Sequence, residues 1–268
     1  MPTTYTHYAY GQEVKNLLPD KLQDIIDSDE DLYNIGVHGP DILFYYRAFS
    51  KNKVNQYGVR VHKEPMEVFL DHAFPVFKKQ HRKRAAFAYL AGFMTHFILD
   101  STCHPYIGRR IRETGISHAE IERDWDSVMM RRDHLNPLKY HVTSHIHVLP
   151  GYSSLIAPYY DMRPAQIRTS LLDMKLILDH IFRSTFAITG RLAALANTFV
   201  LRNMNYQHYF AKKSINPGNV DTINELDLLY QGSIDECVNM ITKLYQALAA
   251  DDPSFSKDRR FKRHFNSF

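Results

Sequence analysis

Three observations predict an all-α fold, organised as a single multi-helix domain over residues 1–268. Apolar residues recur at helical spacing through most of the chain, and no period-two alternation is long enough for a strand. Residues 83–103 form a run that is apolar nearly all round. A helix with no polar face belongs in a core, so the other helices are expected to pack around this one.

The elements follow in order. Residues 12–27 (QEVKNLLPDKLQDIID) have helical spacing, with a break at Pro19. In residues 31–48, Gly36, Gly39 and Pro40 predict a loop that leads into a short helix at Asp41. Residues 51–62 (KNKVNQYGVRVH) read as a second loop, and residues 64–80 as a helix with Pro65 in its first turn. The 83–103 helix is expected to stop before Pro105. Ser117 is a natural N-cap for a helix over 118–133, with Glu120 placed to complete a capping box. Residues 134–163 hold three prolines and read as irregular, whereas 164–203 and 219–250 read as long amphipathic helices. The basic KDRRFKRHF segment, within residues 257–268, reads as a solvated tail.

Composition narrows the function. The chain has 268 residues, 44% hydrophobic and 23% charged, which is ordinary for a globular protein with a sizeable core. A net charge of +4 is too small to argue for nucleic-acid binding and does not exclude it. With only Cys103 and Cys237, no disulfide framework is available. The start, MPTTYTHYAYGQEV, lacks the basic-then-apolar order of a secretory leader, and no run reaches the length that spans a bilayer. A cytoplasmic location is therefore expected. No motif bears on oligomeric state, and there is no P-loop, nucleophile elbow or dinucleotide fingerprint.

The informative stretch is HFILDSTCHP, residues 96–105. His96, Asp100 and His104 stand four apart, so on a helix they form one polar stripe. Burying unpartnered imidazoles and a carboxylate is expensive, and a divalent cation between them removes that cost. Mixed nitrogen and oxygen donors suit Zn²⁺. The next segment, SHAEIE, repeats the pattern with His118 and Glu122. Other histidines weigh less. His38 lies three residues before Asp41 and could line the same cleft or bond to backbone. His141, His145 and His147 read as surface or structural residues. Trp125 and Cys103 read as core, and Tyr45 and Tyr46 as possible pocket residues after Asp41.

HFILDSTCHP followed by SHAEIE resembles the signature of the zinc-dependent phospholipase C family, which is related to the amino-terminal region of glycosylphosphatidylinositol-specific phospholipase D and to the S1/P1 nucleases. Three further stretches fit: THYAYGQEV with His7, GVHGPDILFYYR with Asp41, and YGVRVHKEP with His62. The resemblance covers about residues 5–125. It implies an all-helical domain with two or three zinc ions in a cleft. It implies Asp41, His62, His96 and Asp100 around one ion, His104, His118 and Glu122 around a second, and His7 with a bridging Asp100 at a third. Secreted phospholipases C of the family begin, once mature, with a Trp whose amine and carbonyl bind zinc, whereas this chain begins Met-Pro. Only three residues separate Asp100 from His104, which is closer to the phospholipase D-like branch.

The activity so implied is hydrolysis of a phosphate diester by metal-activated water, with Asp41 as general base or orienter. The expected partner is a phosphate-ester substrate, with a phospholipid preferred. Two alternatives use the same cluster: a nuclease or phosphomonoesterase, and a non-catalytic zinc-binding protein with a closed site.

Overall fold

The structure is a computed structural model that describes residues 4–181 and 212–266. Its elements are α1 (Thr4–Leu17), α2 (Asp20–Asp27), α3 (Glu30–Gly36), a 3-10 segment (Gly39–Tyr45), α4 (Lys53–Lys63), α5 (Met66–Lys79), α6 (Lys83–Thr114), α7 (His118–Arg132), α8 (Tyr152–Ile156), α9 (Pro164–Leu176) and α10 (Val220–Ala250). Short 3-10 turns follow α8 and α10, and a π turn, Ile177–Ile181, follows α9. There is no strand among the described residues, as an all-α fold requires. No helix among them is long and apolar enough to cross a membrane.

α6 is the axis of the molecule. Every residue from 85 to 101 is buried, because α1, α2, α3, α5, α7 and α10 all pack against it. Each large apolar side chain so buried contributes about 1.5–3 kcal/mol. That surplus explains the first departure from the sequence expectation: α6 does not stop before Pro105 but runs through it to Thr114. An internal proline removes one helical hydrogen bond and costs about 3 kcal/mol. Pro105 is exposed, but Cys103, His104, Ile107 and Gly108 around it are buried and outweigh one lost bond. α6 ends at Gly115, whose φ of 73° is the left-handed conformation that glycine adopts freely.

Other boundaries moved for local reasons. The first helix breaks at Pro19, as read, but begins at Thr4. The expected loop over 51–62 is instead α4. Its start is set by a reciprocal cap: the Asn52 side chain accepts from the Val54 and Asn55 amides at 3.0 Å, and Asn55 Oδ1 accepts from the Asn52 amide at 3.0 Å. An asparagine pair in place of Ser with Glu hid this signal. Ser117 caps α7 as expected, accepting from the Glu120 amide at 3.3 Å. The 164–203 helix is seen as α9 and the π turn, and its remainder lies outside the described residues.

The basic C-terminal segment is not a solvated tail. Phe261 and Phe265 are fully buried, and Lys257 donates to both Glu67 and Asp71 at 2.8 Å. Arg260 Nε donates to Glu236 at 2.6 Å. The two phenylalanines, four residues apart, carry the segment inward and leave the charges at its surface.

α3 meets α6 at backbone contact. A Cβ on Gly92 would lie 2.2 Å from the Tyr33 carbonyl oxygen, and one on Gly36 would lie 2.3 Å from that of Tyr89. Because the obstacle is backbone on both sides, neither helix can yield by a side-chain rotation. We expect Gly92→Ala to destabilise the fold by about 3 kcal/mol, read as a lower urea midpoint. A midpoint equal to the native one would show that this contact is loose.

Candidate metal centre

Four elements converge on the middle of α6. Within α6, His96, Asp100 and His104 lie on one face, as their four-residue spacing dictates. α1 brings His7, the 3-10 segment brings Asp41, the last turn of α4 brings His62, and the first turns of α7 bring His118 and Glu122. The orientation of α1 is fixed from α7. Asp126 accepts from the Tyr5 amide at 3.2 Å, the Thr6 amide at 2.9 Å and the Thr6 hydroxyl at 2.6 Å, a carboxylate at a helix N-terminus. Burial nevertheless pushes the Asp126 carboxyl up to about 7.

The eight residues predicted from sequence fall into three groups, two of them sharing His96, in each of which the ligand-type atoms lie within 4.8 Å of one another. They are His7, His96 and Asp100; Asp41, His62 and His96; and His104, His118 and Glu122. The division differs in detail from the expected one, since His96 joins His7 and Asp100 as well as Asp41 and His62, while Asp100 is absent from the Asp41 group. Asp100 nonetheless sits between all of the α6 and α1 rings. Its Oδ1 is 3.2 Å from His7 Nε2 and 3.5 Å from His104 Nε2, and its Oδ2 is 3.2 Å from His96 Nε2. Asp41 Oδ1 is 2.9 Å from His62 Nε2, and Glu122 Oε1 is 2.8 Å from His118 Nε2 and 3.3 Å from His104 Nε2.

Backbone carbonyls fix the tautomers. A carbonyl only accepts, so the ring nitrogen facing it must carry the proton. His62 Nδ1 donates to the Gly58 carbonyl at 2.7 Å, His104 Nδ1 to the Phe265 carbonyl at 2.8 Å, and His96 Nδ1 to the Val37 carbonyl at 3.3 Å. In the neutral ring each Nε2 is then a bare lone pair, and each faces a carboxylate oxygen. Acceptor against acceptor in a buried site is unfavourable unless a cation or a proton stands between. One further atom sharpens the demand: His7 Nδ1, like His96 Nε2, is buried without a hydrogen-bond partner.

Protons meet part of that demand. Burial works against a charged His104, yet Asp100 and Glu122 raise it to about 9. They meet the rest poorly. Burial and the charge of His96 lower His7, whose ring stacks on that of His96 at 4.2 Å between centroids. Two stacked imidazolium ions repel, whereas two stacked neutral ligands do not. The carboxylates are ionised: although burial opposes it, the His104 and His96 charges hold Asp100 well below the usual range, and His118 does the same for Glu122. The residues therefore fit a divalent cation with nitrogen and oxygen donors, His62, His96 and His104 each braced from behind in the manner of metal ligands.

The centre is closed inside and open at two points. The side chains of His96 and Glu122 are 0% and 1% exposed, that of Asp41 is 12% and that of His118 is 32%. Close packing sets the inner wall. Gly39 adopts φ 48°, and a Cβ there would lie 2.5 Å from His96 Cδ2. Its carbonyl accepts from the Tyr160 hydroxyl at 3.1 Å.

The remaining candidates separate. His38 Nε2 and His145 Nε2 share a hydrogen bond at 2.7 Å, and the His145 ring stacks on Tyr8 at 4.0 Å between centroids. His145 is thus a buried structural residue, not a surface one, and burial with nearby Lys175 and His147 lowers it to about 3. His147 is exposed and bonds Asp31 at 2.7 Å, while His141 is exposed beside Asp179. Trp125 is core, its Nε1 donating to Asp227 at 2.9 Å, and Cys103 and Tyr45 are buried too. Sequence reasoning missed Phe265. Its carbonyl braces His104, and its ring packs 5.3 Å from His62 and 5.8 Å from His96 between centroids.

Two measurements test this geometry. Asp100→Ala is expected to lose most bound zinc and His147→Ala to lose little, by elemental analysis of the purified proteins; equal losses would place the ligands elsewhere. Deleting residues 264–268 removes the brace on His104 and is expected to weaken zinc binding about 10–100-fold, by competition with a chelating dye, with helix content unchanged by circular dichroism. Undiminished affinity would show that the Phe265 carbonyl does not orient a ligand.

Comparison with known proteins agrees with the geometry. No curated protein and no solved structure gives a match. The zinc dependent phospholipase C family matches over residues 6–171, which takes in the whole centre and extends past α7 into α9. The chain belongs to the zinc-dependent phospholipase C family.

Proposed function

We propose that the chain, as one zinc-dependent phospholipase C-like domain, hydrolyses a phosphate diester of phospholipid type, with zinc held by His7, Asp41, His62, His96, Asp100, His104, His118 and Glu122. The observation that carries this reading is the set of three imidazoles pinned through Nδ1, each turning a bare Nε2 toward a carboxylate. Zinc, when bound, supplies positive charge to a phosphate's non-bridging oxygens and lowers the pKa of a water from 15.7 toward about 7.

The chain's own residues do the rest. Asp41 is the most exposed of the three carboxylates at 12%, against 6% for Asp100 and 1% for Glu122. It is therefore the one within reach of substrate, where it orients the attacking water and accepts its proton. His62, held by the Gly58 carbonyl, turns its Nε2 to 2.9 Å from Asp41, so a cation shared by the two would fix that carboxylate. The partly exposed His118 marks the edge at which the ester enters. The buried walls around His96 and Asp100 keep bulk water off the inner donors, where charge interactions are stronger. A purely structural zinc site would leave no such open edge.

The test is hydrolysis of p-nitrophenyl-phosphorylcholine, bis-p-nitrophenyl phosphate, p-nitrophenyl phosphate and single-stranded DNA by zinc-loaded protein, with and without chelator. Chelator-sensitive turnover of the choline ester in preference to the others is expected. Preference for DNA or for the monoester would replace this reading with a nuclease or a phosphomonoesterase. We expect Asp41→Asn to lower kcat about 100-fold or more; an unchanged kcat would remove Asp41 from the chemistry.

A further inference from the structure

At the N-terminal end of α6, the helices α2, α5, α6 and α10 leave a cavity of about 570 Å³. That is within the range of small-molecule sites, about 300–1,000 Å³. Its wall is built from Ile25, Phe74, Phe77, Phe87 and Leu248, all buried, with the Tyr245 ring beside them. The metal centre does not reach it. His96 lies twelve residues beyond Arg84, about 18 Å along the helix.

The mouth is cationic. Lys21, Lys78, Lys83 and Arg84 line it against two carboxylates, Asp24 and Asp251. Two of the cations are engaged: Lys78 pairs with Asp251, and Lys83 Nζ donates to the Phe77 carbonyl at 2.6 Å and the Lys78 carbonyl at 2.8 Å. The other two have only neutral partners. Arg84 Nη2 donates to the Asp24 carbonyl and the Ser28 hydroxyl, both at 3.2 Å. Lys21 Nζ lies 5.0 Å from the centroid of the Tyr245 ring. Among the described residues neither meets a carboxylate at ion-pair distance.

We propose that this cavity binds a single-chain amphiphile with an acidic head group, its acyl chain lying among Phe74, Phe77 and Phe87 and its anion at Lys21 and Arg84. The wall explains the chain. Apart from the Tyr245 hydroxyl, the described residues offer it no uncharged polar side chain, so a sugar or nucleotide would lose its hydration without partners. An acyl chain loses nothing there and removes apolar surface from water. The two cations that make no ion pair explain the head, because complementary charge fixes the orientation of the ligand. The inference stands apart from the proposed hydrolysis, since none of these residues belongs to the metal centre.

Isothermal titration calorimetry of the zinc-loaded full chain tests it, with 1-oleoyl lysophosphatidate and oleate, each below its micelle concentration. 1-Oleoyl lysophosphatidylcholine supplies the same chain with no net charge, and glycerol 3-phosphate supplies the head alone. Saturable one-to-one binding of an acidic amphiphile is expected, and the tighter of the two identifies the head as phosphate or carboxylate. Lys21→Glu with Arg84→Glu should weaken it about tenfold or more, and Ala249→Trp, which fills the exposed mouth, should abolish it. Asp41→Asn should bind as the native chain does. Absence of binding by both acidic amphiphiles overturns the proposal, as does equal binding of the choline lipid or indifference to the charge reversal. Loss of binding in Asp41→Asn would move the site to the metal centre. Self-association that Ala249→Trp alone prevents, without lipid binding, would assign the cavity to a second copy of the chain.

Discussion

A neutral imidazole that gives its only N–H to a backbone carbonyl has nothing left to offer a carboxylate except a lone pair. His62, His96 and His104 are all in that position, held by Gly58, Val37 and Phe265 and aimed at Asp41, Asp100 and Glu122. The fold concentrates acceptors in its own interior, and only positive charge between them makes the arrangement favourable. Bringing each ion out of water costs several kcal/mol, and removing one partner of such a pair strands the other. A cation bound there would stabilise the fold along with the site.

The rest of the architecture holds those acceptors still. α6 is buried from 85 to 101, so its stripe cannot rotate. The glycine contact between α3 and α6 brings the chain after Gly36 directly onto His96, and Gly39 leaves the ring just enough room. Asp126 ties the start of α1 to α7, which sets His7 relative to Glu122. The C-terminal segment closes the set. The Asn266 amide donates to the His62 carbonyl at 3.3 Å, one residue from the carbonyl that braces His104. Ligands from the first quarter of the chain and a brace from its last residues thus meet on one helix.

Much of the centre was legible from the residues. The four-residue spacings in HFILDSTCHP and SHAEIE can only put their side chains on one face of a helix, and those pairs lie together in the structure. His7, Asp41 and His62 had no such internal signature; they came from resemblance to a family. α4 was hidden because an asparagine pair did the work of a capping box. The passage of α6 through Pro105 was hidden because proline is read as a terminator when its neighbours in space are unknown. Phe265 was missed for a related reason, because the charge of its segment outweighs its two aromatics; His145, read as surface or structural, lies in a segment without periodicity that left its burial open.

The amino-acid order by itself determined the helical class, the buried axis at 83–103 and the polar stripe upon it, because helix geometry converts spacing into direction without reference to anything distant. The tertiary structure alone decided which carbonyl braces which ring, which carboxylate stands open to solvent, and where the C-terminal phenylalanines go. Those outcomes depend on contacts between distant segments, such as His104 with Phe265, 161 residues apart. Nothing in the local periodicity of either segment specifies its partner.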